Sequence, residues 1–190
     1  MATEPHALLS YEDYAAIDDD ERYEVLDGVL TPMGPAPFIR HQLVAPQIWR
    51  ALDDYAKRTR TGIALIAPTD VVLESMRPAT VLQPDVLYLC DRAKLTKANV
   101  QGPPDVVVEV LSASTARKDA IRKLALYERF GVQEFWMVPL HADRIEVLRL
   151  GQDGRFGNPL LFKVGDILTT PLLPGFELDV ASVFPEELGD

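Results

Sequence analysis

The spacing of apolar residues divides the chain into elements of two periods. In HQLVAPQIWRALDDYAKRT, residues 41–59, Leu43, Val44, Ile48, Leu52 and Tyr55 recur near helical spacing. That predicts a long helix with Pro46 in its first turn, where a missing N–H costs little, and an exit at Gly62. Three β-branched runs follow: IALIAPTDVVLE (63–74) with a kink at Pro68, VLQPDVLYLC (81–90) and DVVVEVLS (105–112). A second helix is predicted over 115–130, capped by Ser114 or Thr115 and ended by Gly131. EFWMVPL (134–140) reads as a strand containing Trp136, and RIEVLRL (144–150) as a half-exposed strand beside it. Before this core, SYEDYAAI (10–17) predicts a short helix capped by Ser10, and Asp27-Gly28 in RYEVLDGVLTPM signals a hairpin. PMGPAPF reads as a loop. After the core, residues 156–184 hold the short strand LLFKV, proline turns and a closing segment, GFELDVASVF. The order is helix, three strands, helix, strand. It predicts an α/β fold with a mixed sheet covered on both faces. At 190 residues the chain is expected to form one domain, with its core at about 41–139.

Two acids interrupt the apolar strands. Glu109 sits inside Val106-Val107-Val108 and Val110-Leu111, and Asp85 follows Pro84 where a strand begins. A carboxylate among valines is costly unless it is paired or binds a metal. If the two strands are neighbours, Asp85 and Glu109 converge. Two carboxylates with a backbone carbonyl, for which Val110 is the candidate, and several waters suit Mg²⁺ or Mn²⁺. The plainer readings are a turn residue for Asp85 and a water-facing edge position for Glu109. On the following helix, Asp119, Lys123 and Tyr127 fall on one face at four-residue spacing. Lys123 either pairs with Asp119 on a solvated surface or turns back toward the sheet, where it would stabilise charge on a phosphate or orient a water. Glu24 is a candidate third acid. His41, opening the long helix, is a candidate cap or phosphate contact. No Gly-rich phosphate loop, Cys/His zinc spacing or G-x-S-x-G elbow is present. Cys90 reads as a strand-end core residue, and His6 and His141 have no evident partner.

Composition narrows the class. Hydrophobic residues are 47% and charged residues 25% of the chain, as in globular proteins. A single cysteine excludes an internal disulfide. The N-terminus lacks a basic, apolar leader, and no apolar run approaches a membrane span, so a cytoplasmic location without membrane contact is expected. The net charge of −10 argues against a nucleic-acid partner, but its distribution changes the picture. Residues 1–27 carry nine acids and one base, and residues 175–190 five acids and no base, which leaves 28–174 at +3. The bases group at Lys57, Arg58 and Arg60, at Arg92, Lys94 and Lys97, and at Arg117, Lys118, Arg122, Lys123 and Arg129. They are either solvated surface or a local basic face able to bind DNA.

RYEVLDG, RHQ, QPDV, PPDVVVEVLS, RKDAIRKLALYERFGV and QEFW together resemble the Uma-two family of restriction-endonuclease-like proteins, within the PD-(D/E)XK nuclease superfamily. The resemblance runs over about residues 10–150 and implies an αβββαβ restriction-endonuclease-like core with Mg²⁺-dependent (or Mn²⁺-dependent) hydrolysis of DNA phosphodiester bonds. Pro84-Asp85 matches the PD element and Glu109 the (D/E) position. Leu111 stands where the motif expects lysine, and Lys123 matches the position to which the family moves it. Glu24 and His41 match further recurring polar positions. The competing readings are a catalytically silent nuclease-fold binding module and a hydrolase directed at RNA or nucleotides. Cutting both strands of a duplex takes two sites, so a homodimer is expected, with Leu172, Leu173 and Phe176 as contact candidates.

Overall fold

Each of the two long strand runs breaks at a proline and continues in a second sheet. The computed structural model, which describes residues 7–34, 38–111 and 114–184, divides 63–74 into β3 (Ile63–Ile66) and β4 (Val71–Glu74) around Pro68. It divides 81–90 into β5 (Thr80–Leu82) and β6 (Val86–Leu89) around Pro84. Proline donates no ladder hydrogen bond, so an interior strand ends where one falls. β4 and β5 join the N-terminal hairpin β1 (Tyr23–Leu26) and β2 (Val29–Pro32), and the short β7 (Val100–Gln101), in a five-stranded sheet ordered β2-β1-β5-β4-β7. β3 and β6 join β8 (Val106–Leu111), β9 (Glu134–Pro139), β10 (Arg144–Arg149) and β11 (Leu160–Lys163) in a six-stranded sheet ordered β11-β10-β9-β8-β6-β3. A small two-stranded sheet, β12 (Ile167–Leu168) and β13 (Leu178–Asp179), completes the strands.

Among the described residues, three α-helices pack around these sheets: α1 (Tyr11–Ala15), α2 (Ile39–Thr59) and α3 (Ser114–Phe130). Ser10 caps α1 in a reciprocal box with Asp13. Asp27 and Gly28 both take positive φ, 51° and 79°, as the two-residue turn of the β1–β2 hairpin requires. Side chains 114–118 lie outside the described residues, and with them the expected caps Ser114 and Thr115 and the bases Arg117 and Lys118.

The six-stranded sheet is buried on both faces. On one face Val86, Val108, Val110 and Trp136 pack against Val44, Ile48, Leu52 and Tyr55 of α2 and against the C-terminal segment. On the other, Leu87, Val107, Leu111 and Phe135 meet Leu126 and Tyr127 of α3, together with Leu82 and Val71 of the second sheet. β8 lies between β6 and β9, and all six of its residues are buried. Glu109 is therefore not on a water-facing edge.

Five expectations are corrected. α2 begins two residues before His41, so Pro46 lies well inside the helix rather than in its first turn. An interior proline costs about 3 kcal/mol, which burial of Val44, Ile48 and Leu52 at about 1.5–3 kcal/mol each offsets. The helix ends at Arg60, whose φ of 59° supplies the left-handed cap. Leu173 and Phe176 are core residues, each 2% exposed, and Leu172 packs beside them, so they are not a free contact surface. β10 is buried over Ile145–Leu148 rather than half-exposed, because β11 and β9 flank it and the C-terminal segment covers it. Cys90 follows the end of β6 and is exposed.

Candidate active site

Register sets the two strand carboxylates side by side. β6 and β8 are antiparallel with Val86 opposite Val108, so Asp85, one step before β6, falls opposite Glu109. Asp85 follows the break at Pro84, and its carbonyl still accepts the Ala67 N–H from the β3 side. Its Oδ2 accepts the Val110 N–H at 2.7 Å and lies 3.1 Å from His41 Nε2. Val110 thus touches Asp85 through its amide, while its carbonyl was the expected metal contact. His41 reaches Asp85 from the first turn of α2. It is 8% exposed, and its Nδ1 is the one buried side-chain polar atom without a partner among the described residues.

Lys123 points at the sheet. Its Nζ lies 2.9 Å from Glu24 Oε1, 3.5 Å from Glu109 Oε1 and 3.6 Å from Asp119 Oδ2. The i, i+4 pair with Asp119 is real, but Lys123 is only 5% exposed and its closest partner is Glu24 on β1. Glu24 Oε1 also accepts the Gln83 backbone N–H at 2.8 Å, so the residue before Pro84 is tied to the second sheet. Tyr127, one turn beyond Lys123, donates its hydroxyl to Glu109 Oε1 at 3.0 Å.

The electrostatics follow from burial. Desolvation pushes the Glu109 carboxyl up to about 8; Lys123 opposes this, while the Asp85 and Glu24 charges add to it. Burial works against the Lys123 ammonium too, but Glu109 and Glu24 together outweigh it and hold the lysine charged, above its ordinary range. Burial, then the Glu109 charge, keeps the Tyr127 hydroxyl protonated well beyond its usual value, so it remains a donor.

One pattern recurs in all three carboxylates. Glu24 and Glu109 each receive two protein donors on Oε1, and Asp85 has Val110 and His41 on Oδ2. The second oxygen of each has no hydrogen-bond partner among the described residues, and none of the three is a buried orphan. Among those residues no group of three or more His, Cys, Asp or Glu side chains forms a ready cage for an ion. Two neighbouring carboxylates with free oxygens do fit a Mg²⁺-type ion, which keeps waters and takes one or two protein carboxylates.

Asp85, Glu109, Lys123, Glu24 and His41 are thus brought together as one cluster. Sequence reasoning placed Tyr127 on the Lys123 face without assigning it a contact, and it missed the Gln83 amide. The four-residue step from Lys123 was the available signal for Tyr127. A backbone amide leaves none.

A family model described as "Uma2: Putative restriction endonuclease" matches residues 9–181. No curated protein matches the chain. Among solved structures, a crystal structure of a putative nuclease belonging to DUF820 from Anabaena variabilis superposes with a TM-score of 0.74 at 14% identity, covering 93% of this chain and 97% of that one. Among the described residues no helix is long and apolar enough to cross a membrane.

Proposed function

Because the chain belongs to the Uma2 family, we propose that the cluster is the active site of a metal-dependent endonuclease acting on DNA. One observation carries this reading: Glu109, buried mid-sheet opposite Asp85, is held on Oε1 by Lys123 and Tyr127 while its other oxygen has no partner among the described residues. Asp85, Glu109 and the Val110 carbonyl would hold Mg²⁺ or Mn²⁺. Bound there, the ion would lower the pKa of a water and offset charge on the scissile phosphate.

The chain's own residues do the positioning. His41 and the Val110 amide fix Asp85, and Tyr127 and Lys123 fix Glu109. Glu24 holds Lys123 charged and aimed at the cluster, with the ammonium available to the phosphate or to a water beside it.

Cutting both strands takes two such sites, and the same reading calls for a homodimer. β11 is the edge of the six-stranded sheet, and Leu160, Leu161, Val164 and Ile167 along and beyond it are exposed. An open apolar edge is a template for pairing with a second copy.

A second reading, a silent nuclease-fold binding module, draws on one observation. Lys123 is buried and already engaged by three carboxylates, which leaves little freedom to reach a substrate. Incubating supercoiled plasmid with protein and Mg²⁺ or Mn²⁺ separates the two. Wild type is expected to nick or linearise it, and Asp85→Ala and Glu109→Gln are not. Intact plasmid with all three proteins favours the module.

A further inference from the structure

A groove of about 430 Å³ opens beside the carboxylate cluster and takes no part in it. Leu65, Pro68 and Leu95 form apolar walls, Asp70 and Asn99 supply polar edges, and Lys97 stands at the lip. That volume falls within the range of small-molecule sites.

Its place relative to the cluster follows from register. Leu65 pairs with Leu87 and Leu87 with Val107, so the three share one face of the sheet. Asp85 and Glu109 lie one step of two along the same strands, on that same face. The groove is one strand over from Asp85, whose carbonyl accepts the Ala67 N–H at 2.9 Å, next to Pro68 in the groove wall. Hydrogen bonds join the two places: Gln83 donates its side-chain amide to Asp70 Oδ1 at 2.8 Å and its backbone N–H to Glu24.

The polar edge takes its sign from the Asp70 charge. Asn99 gives one amide N–H to the Tyr11 hydroxyl, keeps its second, and receives Thr96 and Gln101 on its oxygen. Asp70 Oδ1 takes Gln83 and Tyr14, whereas Oδ2 receives, among the described residues, only the long 3.3 Å contact from the Tyr14 hydroxyl. A carboxylate has about four acceptor positions. The groove therefore offers acceptor capacity between two apolar walls, with a cation at its mouth.

We propose that this groove binds the base of a nucleotide flanking the scissile phosphate. It selects bases that carry an exocyclic amine, with Asp70 as the acceptor and Lys97 on the adjoining phosphate. Adenine, cytosine and guanine offer that amine to a carboxylate. Thymine has no exocyclic amine, and its one ring N–H lies between two keto oxygens that the carboxylate repels, so it is disfavoured. The inference rests on the nuclease reading of the neighbouring cluster, but its test needs no cleavage.

Fluorescein-labelled dA, dC and dT tetranucleotides are titrated with the protein in chelator at low salt, and binding is read by anisotropy. The dA and dC tetramers are expected to bind about three- to ten-fold more tightly than the dT tetramer, the worth of one hydrogen bond. Asp70→Asn keeps the shape and can offer an N–H to a keto oxygen, so it should erase the preference. Ala98→Trp, at an exposed lining position, should fill the groove and weaken dA and dC binding while the melting temperature holds. Equal binding of the three tetramers, no measurable binding, or a preference that survives both substitutions overturns the proposal. A preference found in a protein that does not cut plasmid leaves the base site standing and removes only the nuclease reading. Plasmid cleavage without a preference does the reverse.

Discussion

The Tyr127 hydroxyl donates to Glu109 at 3.0 Å, on the same oxygen that Lys123 approaches. A carboxylate held at one oxygen by two donors has lost its rotational freedom, and the other oxygen faces a fixed direction. Tyr127→Phe removes this restraint but keeps the ring packed on Phe135. The expected stability cost is about 1 kcal/mol, one hydrogen bond. The expected functional change is a rise of several-fold in the Mn²⁺ concentration giving half-maximal plasmid cleavage. A purely structural role for Tyr127 would leave that concentration unmoved.

Glu109 also makes stability depend on pH. Its folded-state pKa is raised, to about 8 from 4.5, so the folded protein holds this proton more tightly than the unfolded chain does. Stability from this group is greatest below the unfolded value and is lost as pH rises toward the folded one. In chelator, Glu109→Gln should therefore melt higher than wild type. The gain should grow across pH 4.5–8 and reach roughly 3–6 °C for about 1–2 kcal/mol. A variant that melts lower at pH 8 would make Glu109 a net stabilising partner of Lys123.

Removing Lys123 leaves Glu24 and Glu109 buried without their cation. Lys123→Met is expected to cost about 3–5 kcal/mol, the range for breaking a buried pair. Adding Glu24→Gln should restore part of this loss, since one stranded charge is then gone. Urea unfolding of both single variants and the double measures the coupling, and additive costs would sink it.

Ion binding is the simplest test of the carboxylate pair. Two side chains and several waters make a loose site, so calorimetry with Mn²⁺ should show weak binding to wild type and none to Asp85→Ala. Identical titrations would remove the pair as ligands.

Assembly has its own test. Light scattering at micromolar concentration should give a dimer mass, and Leu161→Lys on the exposed edge of β11 should give a monomer. A wild-type monomer would restrict the nuclease reading to nicking or single-strand cleavage.

The strand and helix pattern made much of this legible. Glu109 stood out because a carboxylate inside a valine run needs a partner, and Lys123 and Tyr127 fell on one helix face, though the spacing left open whether that face met the sheet or solvent. The pairing of Lys123 with Glu24 was not readable, because it joins α3 to a strand in the other sheet and no local period reports such a contact. The prolines at 68 and 84 were visible, but sequence could not say that the chain changes sheet at both. Leu173 and Phe176 were misassigned for a related reason. In a segment with little regular structure, apolar character marks a residue for burial without saying whether the cover is the same chain or another.

Glu24 belongs to the five-stranded sheet, and Asp85 and Glu109 flank or lie within the six-stranded one. The ammonium between Glu24 and Glu109 consequently works as a rivet through two plates. A chain with only one plate built has an unbalanced cluster, so on the nuclease reading the site is complete only when both sheets are. The N-terminal hairpin that carries Glu24 is on these terms a working part of the machine, and a truncation that trims it as an appendage removes half of the rivet's grip.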